Sequence, residues 1–179
     1  MITLIIGTPN SGKSALAEKI AVESFTEGKK YYIATMIPYG KEGQERIKKH
    51  QSMRQGKGFE TLEWPSDFAK RKEDVDFVGC TVLIECMSNL IGNEMHEVKN
   101  AKLSKLMLCN QIVEEVNSIC EEAFNTIIVT NEFPEDDDGY DEDTRDYVRL
   151  VSMVNTNLRS FADTVYIYTD GEWIRNENN

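Results

Sequence analysis

The chain has 179 residues, 40% of them hydrophobic and 28% charged, with 31 Asp+Glu against 20 Lys+Arg and a formal charge of −11. That length suits one ordinary domain, numbered 1–179, whose core is large enough to need no disulfide or metal staple. The acidic balance argues against a nucleic-acid binder, which needs a dominant basic face, and no apolar run reaches the roughly 18 residues of a membrane span.

The first apolar run, ITLII (2–6), reads as a buried strand ending at Gly7. MITLIIGTPNSGK has neither a basic start nor a small-residue cleavage site, so it is not read as a signal peptide. Residues 13–26 follow as a helix, then YYIAT (31–35) as a second strand. KEGQERIKKHQSMRQ (41–55) is polar and helix-forming, closed by Gly56 and Gly58. ETLEWP (60–65) is a short strand stopped by Pro65, and VGCTVLIEC (78–86) a buried strand ending in an acid. A long amphipathic helix is expected over 101–123, a fourth apolar strand over 125–132, and a further helix from Tyr147 to Phe161. DTVYIYT (163–169) and DGEWIR (170–175) close the chain as a strand and a hairpin arm. Apolar strands alternating with helices predict an α/β fold, a mainly parallel sheet covered on both faces.

The four cysteines, Cys80, Cys86, Cys109 and Cys120, show no CxxC spacing and read as reduced, buried thiols of a cytoplasmic protein. His96 has no reactive company and reads as structural or surface.

GTPNSGKS (7–14) matches GxxxxGK[ST] between a strand and a helix. Gly7 and Gly12 let the backbone curl so that amide N–H groups converge on a phosphate, and the helix adds its positive end. Lys13 then reaches the β- and γ-phosphates, and the Ser14 hydroxyl is a ligand for Mg²⁺. Glu85 ends a buried strand on the same sheet edge, where it either holds Mg²⁺ or positions an attacking hydroxyl. A carboxylate that only caps a helix is the plainer alternative. Asn131-Glu132 ends the next strand in the same way.

Residues 41–57 carry six Lys/Arg and two Glu, a basic patch in an acidic chain. Arg46, His50 and Arg54 recur at helical spacing and share a face. Guanidinium forks suit phosphate oxygens, and nearby cations keep an imidazole neutral and nucleophilic. A neutral imidazole can attack phosphorus to give a phosphoramidate. Taken alone, the patch favours the plainer reading, a solvated basic surface with an incidental histidine.

Taken together, GTPNSGKS, YIAT (32–35), RIKKH (46–50), TLEWP (61–65), LIEC (83–86), VTNE (129–132) and VNTNLRSFADTV (154–165) resemble the bifunctional adenosylcobinamide kinase / adenosylcobinamide-phosphate guanylyltransferase family of cobalamin biosynthesis. The resemblance runs from residue 2 to about 175. It implies a P-loop NTPase fold of RecA-like type. It also implies phosphorylation of adenosylcobinamide, followed by transfer of GMP from GTP through a guanylylated histidine, here His50. It places nucleotide contacts on Gly7, Thr8, Pro9, Asn10, Ser11, Gly12, Lys13 and Ser14, on Ala34, Thr35 and Met36, on Gln51, Ser52, Met53 and Arg54, and on Glu63 and Glu85. Mg²⁺, with ATP and GTP as substrates, a corrinoid acceptor and a homotrimer complete what it implies. The chain departs from the family after VTNE, where FPEDDDGYDEDT (133–144) replaces a glycine-containing stretch. Arg145 and Asn155 keep the family's pattern, whereas Arg149 and Ser152 replace its Asp and Gly. The alternative is a diverged P-loop kinase or nucleotide-binding regulator with another acceptor.

Overall fold

Side chains alternate across each strand, and in the central strands of this chain both alternating sets are buried. The middle of the sheet is therefore covered on two faces. The computed structural model describes residues 1–134 and 137–178. Strands β1 (Ile2–Gly7), β2 (Lys30–Ala34), β3 (Phe59–Glu63), β4 (Thr81–Glu85), β5 (Asn125–Asn131), β6 (Thr164–Thr169) and β7 (Glu172–Glu177) form one sheet in the order β3-β2-β4-β5-β1-β6-β7. All pairings are parallel except that of β6 with β7, an antiparallel hairpin. Its turn uses Asp170 and Gly171, both at positive φ.

The helices are α1 (Lys13–Glu23), α2 (Gly40–Arg54), α3 (Phe68–Lys72), α4 (Met87–Met95), α5 (Lys105–Glu122) and α6 (Glu142–Phe161). On one face Leu4, Ile6, Val82, Ile84 and Ile128 pack with residues of α3, α4, α5 and α6. On the other, Ile5, Leu83, Ile127 and Val129 pack against Ala17 and Ala21 of α1. Each of these fully buried aliphatic side chains contributes about 1.5–3 kcal/mol by leaving water. α2 differs, since none of its residues is buried.

Alternation also decides where acids point. Glu85 shares strand parity with Leu83, so its carboxylate emerges on the α1 face. Tyr32 and Ala34 of β2 belong to the same face. Register then aligns the strand ends: Ala34 lies opposite both Glu63 and Glu85, and Gly7 opposite Asn131.

Several boundaries differ from the sequence expectation. The helix foreseen over 101–123 begins at Lys105, because the Ser104 side chain accepts a hydrogen bond from Met107 N at 3.2 Å. A short 3₁₀ turn, Val98–Asn100, precedes it, and Leu106 and Met107 are exposed rather than core. The helix foreseen from Tyr147 begins at Glu142. There Asp141 accepts from Thr144 N at 2.8 Å, and Glu142 and Asp143 complement the helix dipole. Part of the acidic stretch 133–144 is thus a helix start, while Glu135 and Asp136 lie outside the described residues. α1 stops at Glu23, before residue 26. Neither α3 nor α4 was foreseen. α4 carries Gly92 and two asparagines, Asn89 and Asn93, all weak helix formers, and forms because Leu90 and Ile91 are buried in the core.

Thr35, just past β2, joins that strand end to the end of β4 and to α4. Its N–H donates to Glu85 O at 3.0 Å, and its carbonyl accepts from Asn93 Nδ2 at 2.9 Å. Its hydroxyl donates to Cys86 O at 2.8 Å and accepts from Cys86 N at 2.7 Å. Thr35→Val keeps the volume but leaves the buried Cys86 N–H unpaired and takes from Cys86 O one of its two donors, the other being Leu90 N, so it should destabilise by about 1–3 kcal/mol. Urea unfolding should show a lower midpoint with an unchanged slope, and Thr35→Ser should retain most of the stability. A Thr35→Val loss below about 1 kcal/mol would contradict this role.

Candidate active site

The turn after β1 is shaped by two left-handed residues, Asn10 (φ 64°) and Gly12 (φ 85°). Gly12 caps α1 with no side-chain hydrogen bond, so the first amides of that helix remain available to an anion. Gly7 is required by close approach, because a Cβ there would stand 2.5 Å from Ser11 Oγ and 3.2 Å from the Trp173 ring. Lys13 is nearly buried, and its Nζ donates to Thr8 O at 2.9 Å, folded over the loop that it would leave for a phosphate. Burial lowers its pKa, against the pull of the neighbouring Cys86 and Glu85.

Ser14, one residue on, donates to Glu85 Oε1 in a short contact. The other oxygen, Oε2, is buried without a partner. Burial raises the Glu85 pKa to about 7, opposing the Ser14 hydrogen bond. A serine hydroxyl beside a carboxylate with an orphan oxygen is a hard-oxygen donor pair that suits Mg²⁺, which takes few protein ligands and completes its shell with water and phosphate. Among the described residues no cluster of three His, Cys, Asp or Glu would hold a metal by itself.

α2 crosses above this group. Its inward, half-buried positions are Gly43, Ile47, His50, Met53 and Arg54. His50 Nδ1 lies 3.5 Å from Tyr32 Oη and 3.8 Å from Glu85 Oε1. Burial, then Arg54, Lys49, Arg46 and Lys13, lower its pKa, so the imidazole is neutral. The Arg54 guanidinium stacks on Tyr32, 4.3 Å from the ring centroid, and its Nε donates to Thr61 Oγ1 at 3.2 Å. Arg46 does not join the inward face. It is exposed and paired with Glu42 at 3.3 Å, one turn earlier on the same helix. Just past α2, Lys57 donates to the fully buried Glu18 of α1 at 2.5 Å.

Lys13, Ser14, Glu85, Tyr32, His50 and Arg54 line one cavity of about 1210 Å³. Of the residues expected to contact nucleotide, Pro9, Asn10, Gly12, Lys13 and Ser14 line it from the loop, and Ala34, Met36 and Glu63 from the β2 and β3 ends. Gln51, Met53, Arg54 and His50 line it from α2, and Glu85 forms its floor. Gly7, Thr8, Ser11, Thr35 and Ser52 are outside the lining. Gly7, Thr8 and Ser11 shape the loop from behind, Thr35 has every polar group engaged within the protein, and Ser52 is exposed. Glu132 turns away to Arg159, 3.3 Å distant. Asn155 is buried, accepting from Thr130 Oγ1 at 2.8 Å and donating to Asn131 O at 2.9 Å, and Arg145 is exposed. His96 is a surface residue 3.6 Å from Asp143. The far side of the cavity holds Ser88, Asn89, Asn131, Phe133 and Tyr147, of which only the Asn131 position was foreseen. Tyr32 was also missed, although its parity with Ala34 on β2 points to this face.

A phosphate-binding loop between β1 and α1, an acid at the end of β4 and a mostly parallel sheet define a nucleotide-using enzyme of the P-loop NTPase class. Solved structures share that fold. The ATPase domain of G40P matches with TM-score 0.55 at 14% identity over 94% of this chain and 69% of its own. The flagellar accessory protein FlaH from Methanocaldococcus jannaschii matches with TM-score 0.51 at 16% identity over 97% and 75%. An ATPase from the type III secretion system of pathogenic bacteria matches with TM-score 0.55 at 11% identity, over 94% of this chain and 51% of that one. No curated protein sequence matches the chain. Residues 3–175 match the sequence model of the cobinamide kinase / cobinamide phosphate guanyltransferase family, and the chain belongs to that family. It is a kinase and nucleotidyltransferase of cobalamin biosynthesis. No helix among the described residues is long and apolar enough to cross a membrane.

The buried Glu85 carboxylate has a measurable consequence. Its folded-state pKa exceeds the unfolded value, so the native state holds the proton more tightly. This contribution to stability is fully present below about pH 4.5 and is lost as pH rises through about 7. In metal-free protein with EDTA, Glu85→Gln should be more stable than wild type by about 1–3 kcal/mol near pH 8, and the difference should shrink near pH 5. A difference that does not change with pH would contradict the burial argument.

Proposed function

We propose that both phosphorus chemistries of the family use this one cavity, with His50 as the nucleophile of the nucleotidyl step. One observation carries the reading: a neutral imidazole stands above the phosphate-binding loop, with Nδ1 facing Tyr32 and Glu85 and Nε2 left to react. The substrates are ATP or GTP and a cobinamide, and the sites named below are part of the proposal.

In the kinase step the acceptor hydroxyl oxygen forms a bond to the γ-phosphorus. The bond to the bridging oxygen breaks, its electron pair leaves with the nucleoside diphosphate, and the hydroxyl proton passes to solvent. Lys13 moves from Thr8 O to the γ-phosphate and offsets the charge spread over its oxygens. In the nucleotidyl step the His50 Nε2 lone pair forms a bond to the α-phosphorus of GTP, and the bond to the leaving oxygen breaks with release of pyrophosphate. Glu85 faces Nδ1 and stabilises the charge that develops on the ring, and Arg54 faces the phosphate oxygens. An oxygen of the cobinamide phosphate then attacks the same phosphorus, and the N–P electron pair returns to Nε2. Ser14 and Glu85 would hold Mg²⁺, which when bound supplies neutralisation of phosphate charge.

The cationic face of α2 must move to meet an α-phosphate that sits in the loop. α2 has no buried residue and is bracketed by Gly40 (φ 61°) and Gly56 (φ 77°), which permit a swing. The homotrimer implied by the resemblance and the cytoplasmic location read from the cysteines stand as parts of the same proposal.

Incubation with α-labelled GTP and Mg²⁺ should leave acid-labile, alkali-stable label on wild type and none on His50→Ala. Unlabelled wild type would refute the transferase mechanism, and labelled His50→Ala would refute the nucleophile. Kinase activity should fall by about 10²-fold or more in Lys13→Ala yet survive in His50→Ala.

A further inference from the structure

The cavity has two unlike sides. On the α2 side Lys48, Lys49 and Arg54 line it, with Arg46 at the margin beside Glu42, a mainly cationic wall for a polyphosphate. On the opposite side stand Ser88, Asn89, Asn131, Phe133 and Tyr147, none of them charged. Phe133 and Tyr147 pack ring to ring at 5.8 Å. We propose that this uncharged side is the subsite for the acceptor, a molecule whose periphery carries an alcohol and uncharged carboxamides, and that Asn131 positions its hydroxyl. The assignment rests on the kinase reading above.

Topology argues for it first. β5 lies between β1 and β4, so Asn131 at its tip stands between the phosphate-binding loop and Glu85. Glu85 is opposite Val129, which sets Asn131 two residues farther out along the sheet edge. The strand end is fixed from both sides. Asn131 N donates to Ser88 Oγ at 2.9 Å, and Asn131 O accepts from Asn155 Nδ2 at 2.9 Å. Ser88 O in turn accepts from Tyr147 Oη at 3.1 Å. Yet the Asn131 side-chain Oδ1 is buried with no partner. A rigid backbone thus holds an unsatisfied acceptor in a residue that lines the cavity, and a buried acceptor of this kind calls for a donor such as a hydroxyl.

Chemistry argues for it next. Phosphoryl transfer needs the attacking oxygen roughly in line with the leaving one. If the nucleoside extends toward the cationic α2 side, the acceptor enters from the side across the loop, where Asn131 is. Cobinamide is an alcohol-bearing carboxamide. The carboxamide of Asn89 can pair with such groups through one donor and one acceptor, and the ring pair offers an apolar contact. A second nucleotide would instead meet no cation there.

The test is steady-state kinase kinetics with adenosylcobinamide and ATP on Asn89→Ala and Asn131→Ala, which leave the backbone bonds of β5 intact. Each variant should raise KM for adenosylcobinamide about tenfold, the effect of one lost hydrogen bond of about 1.4 kcal/mol, with KM for ATP within about twofold of wild type. Asn131→Ala should also lower kcat, because the hydroxyl loses its orientation. An unchanged acceptor KM in both variants would overturn the assignment, as would a rise in the ATP KM equal to that of the acceptor. Thermal melts of both variants show that the change is not unfolding. The assay involves no histidine label, so a protein that forms no label but shows the split in KM would refute the His50 mechanism and keep the subsite.

Discussion

Parallel pairing of β1, β5 and β4 is the constraint on which the site depends. Parallel strands all end at one edge, so whatever follows them in sequence is gathered there in space. The register makes this specific: Gly7 lies opposite Asn131, and Val129 opposite Glu85. A loop at residue 7, an acid at 85 and an amide at 131 become neighbours without any contact in sequence. Strand parity then sends the Glu85 carboxylate to the α1 face, where Ser14 begins the helix. A slip of one residue in β4 would turn that carboxylate to the α4 face and dissolve the site.

The electrostatics follow from that placement. Glu85 is driven into a setting where its charged form is disfavoured, and one of its oxygens has no partner. Such a group destabilises the resting fold and is retained at sites where a ligand supplies the missing partner. Lys13 shows the complementary strain, a partly desolvated ammonium held by a loop carbonyl. A metal–phosphate complex between these two would relieve both. The neutral state of His50 belongs to the same arrangement, although burial contributes more to it than the cations that sequence composition brings to mind.

Much of this was legible in the sequence, because it depends on local pattern. The phosphate-binding loop, the apolar strands and the acid ending β4 each follow from a few adjacent residues. The inward aim of His50 and Arg54 follows from helical spacing, but Arg46 does not share it. The contact stripe runs through Gly43, Ile47, His50 and Arg54, which leaves Arg46 at its margin beside Glu42. Thr35 reads as a polar strand end, and only the fold shows it locked to Glu85, Asn93 and Cys86. Asn89 and Tyr147 were hidden for another reason. Their nearness to the loop arises from sheet order and from a helix, α4, whose local propensity is weak.

How α2 is held bears on how its histidine works. The helix buries no residue of its own, so hydrophobic packing does not fix its position. Arg54 stacked on Tyr32 and Lys57 paired with Glu18 tie down its C-terminal end. A buried ion pair is a weak source of stability but a geometrically demanding one, which suits a pivot. At the N-terminal end, Gly40 follows an exposed Tyr39, and no side chain caps the helix. In the proposed mechanism, motion about the Lys57 end would carry His50 along an arc over Glu85, since the histidine sits about two turns from the anchor. A nucleophile fixed rigidly in the cavity would crowd the phosphates needed for the kinase step. Under the proposed mechanism, a nucleophile carried on a helix free to swing would withdraw for the first transfer and advance for the second.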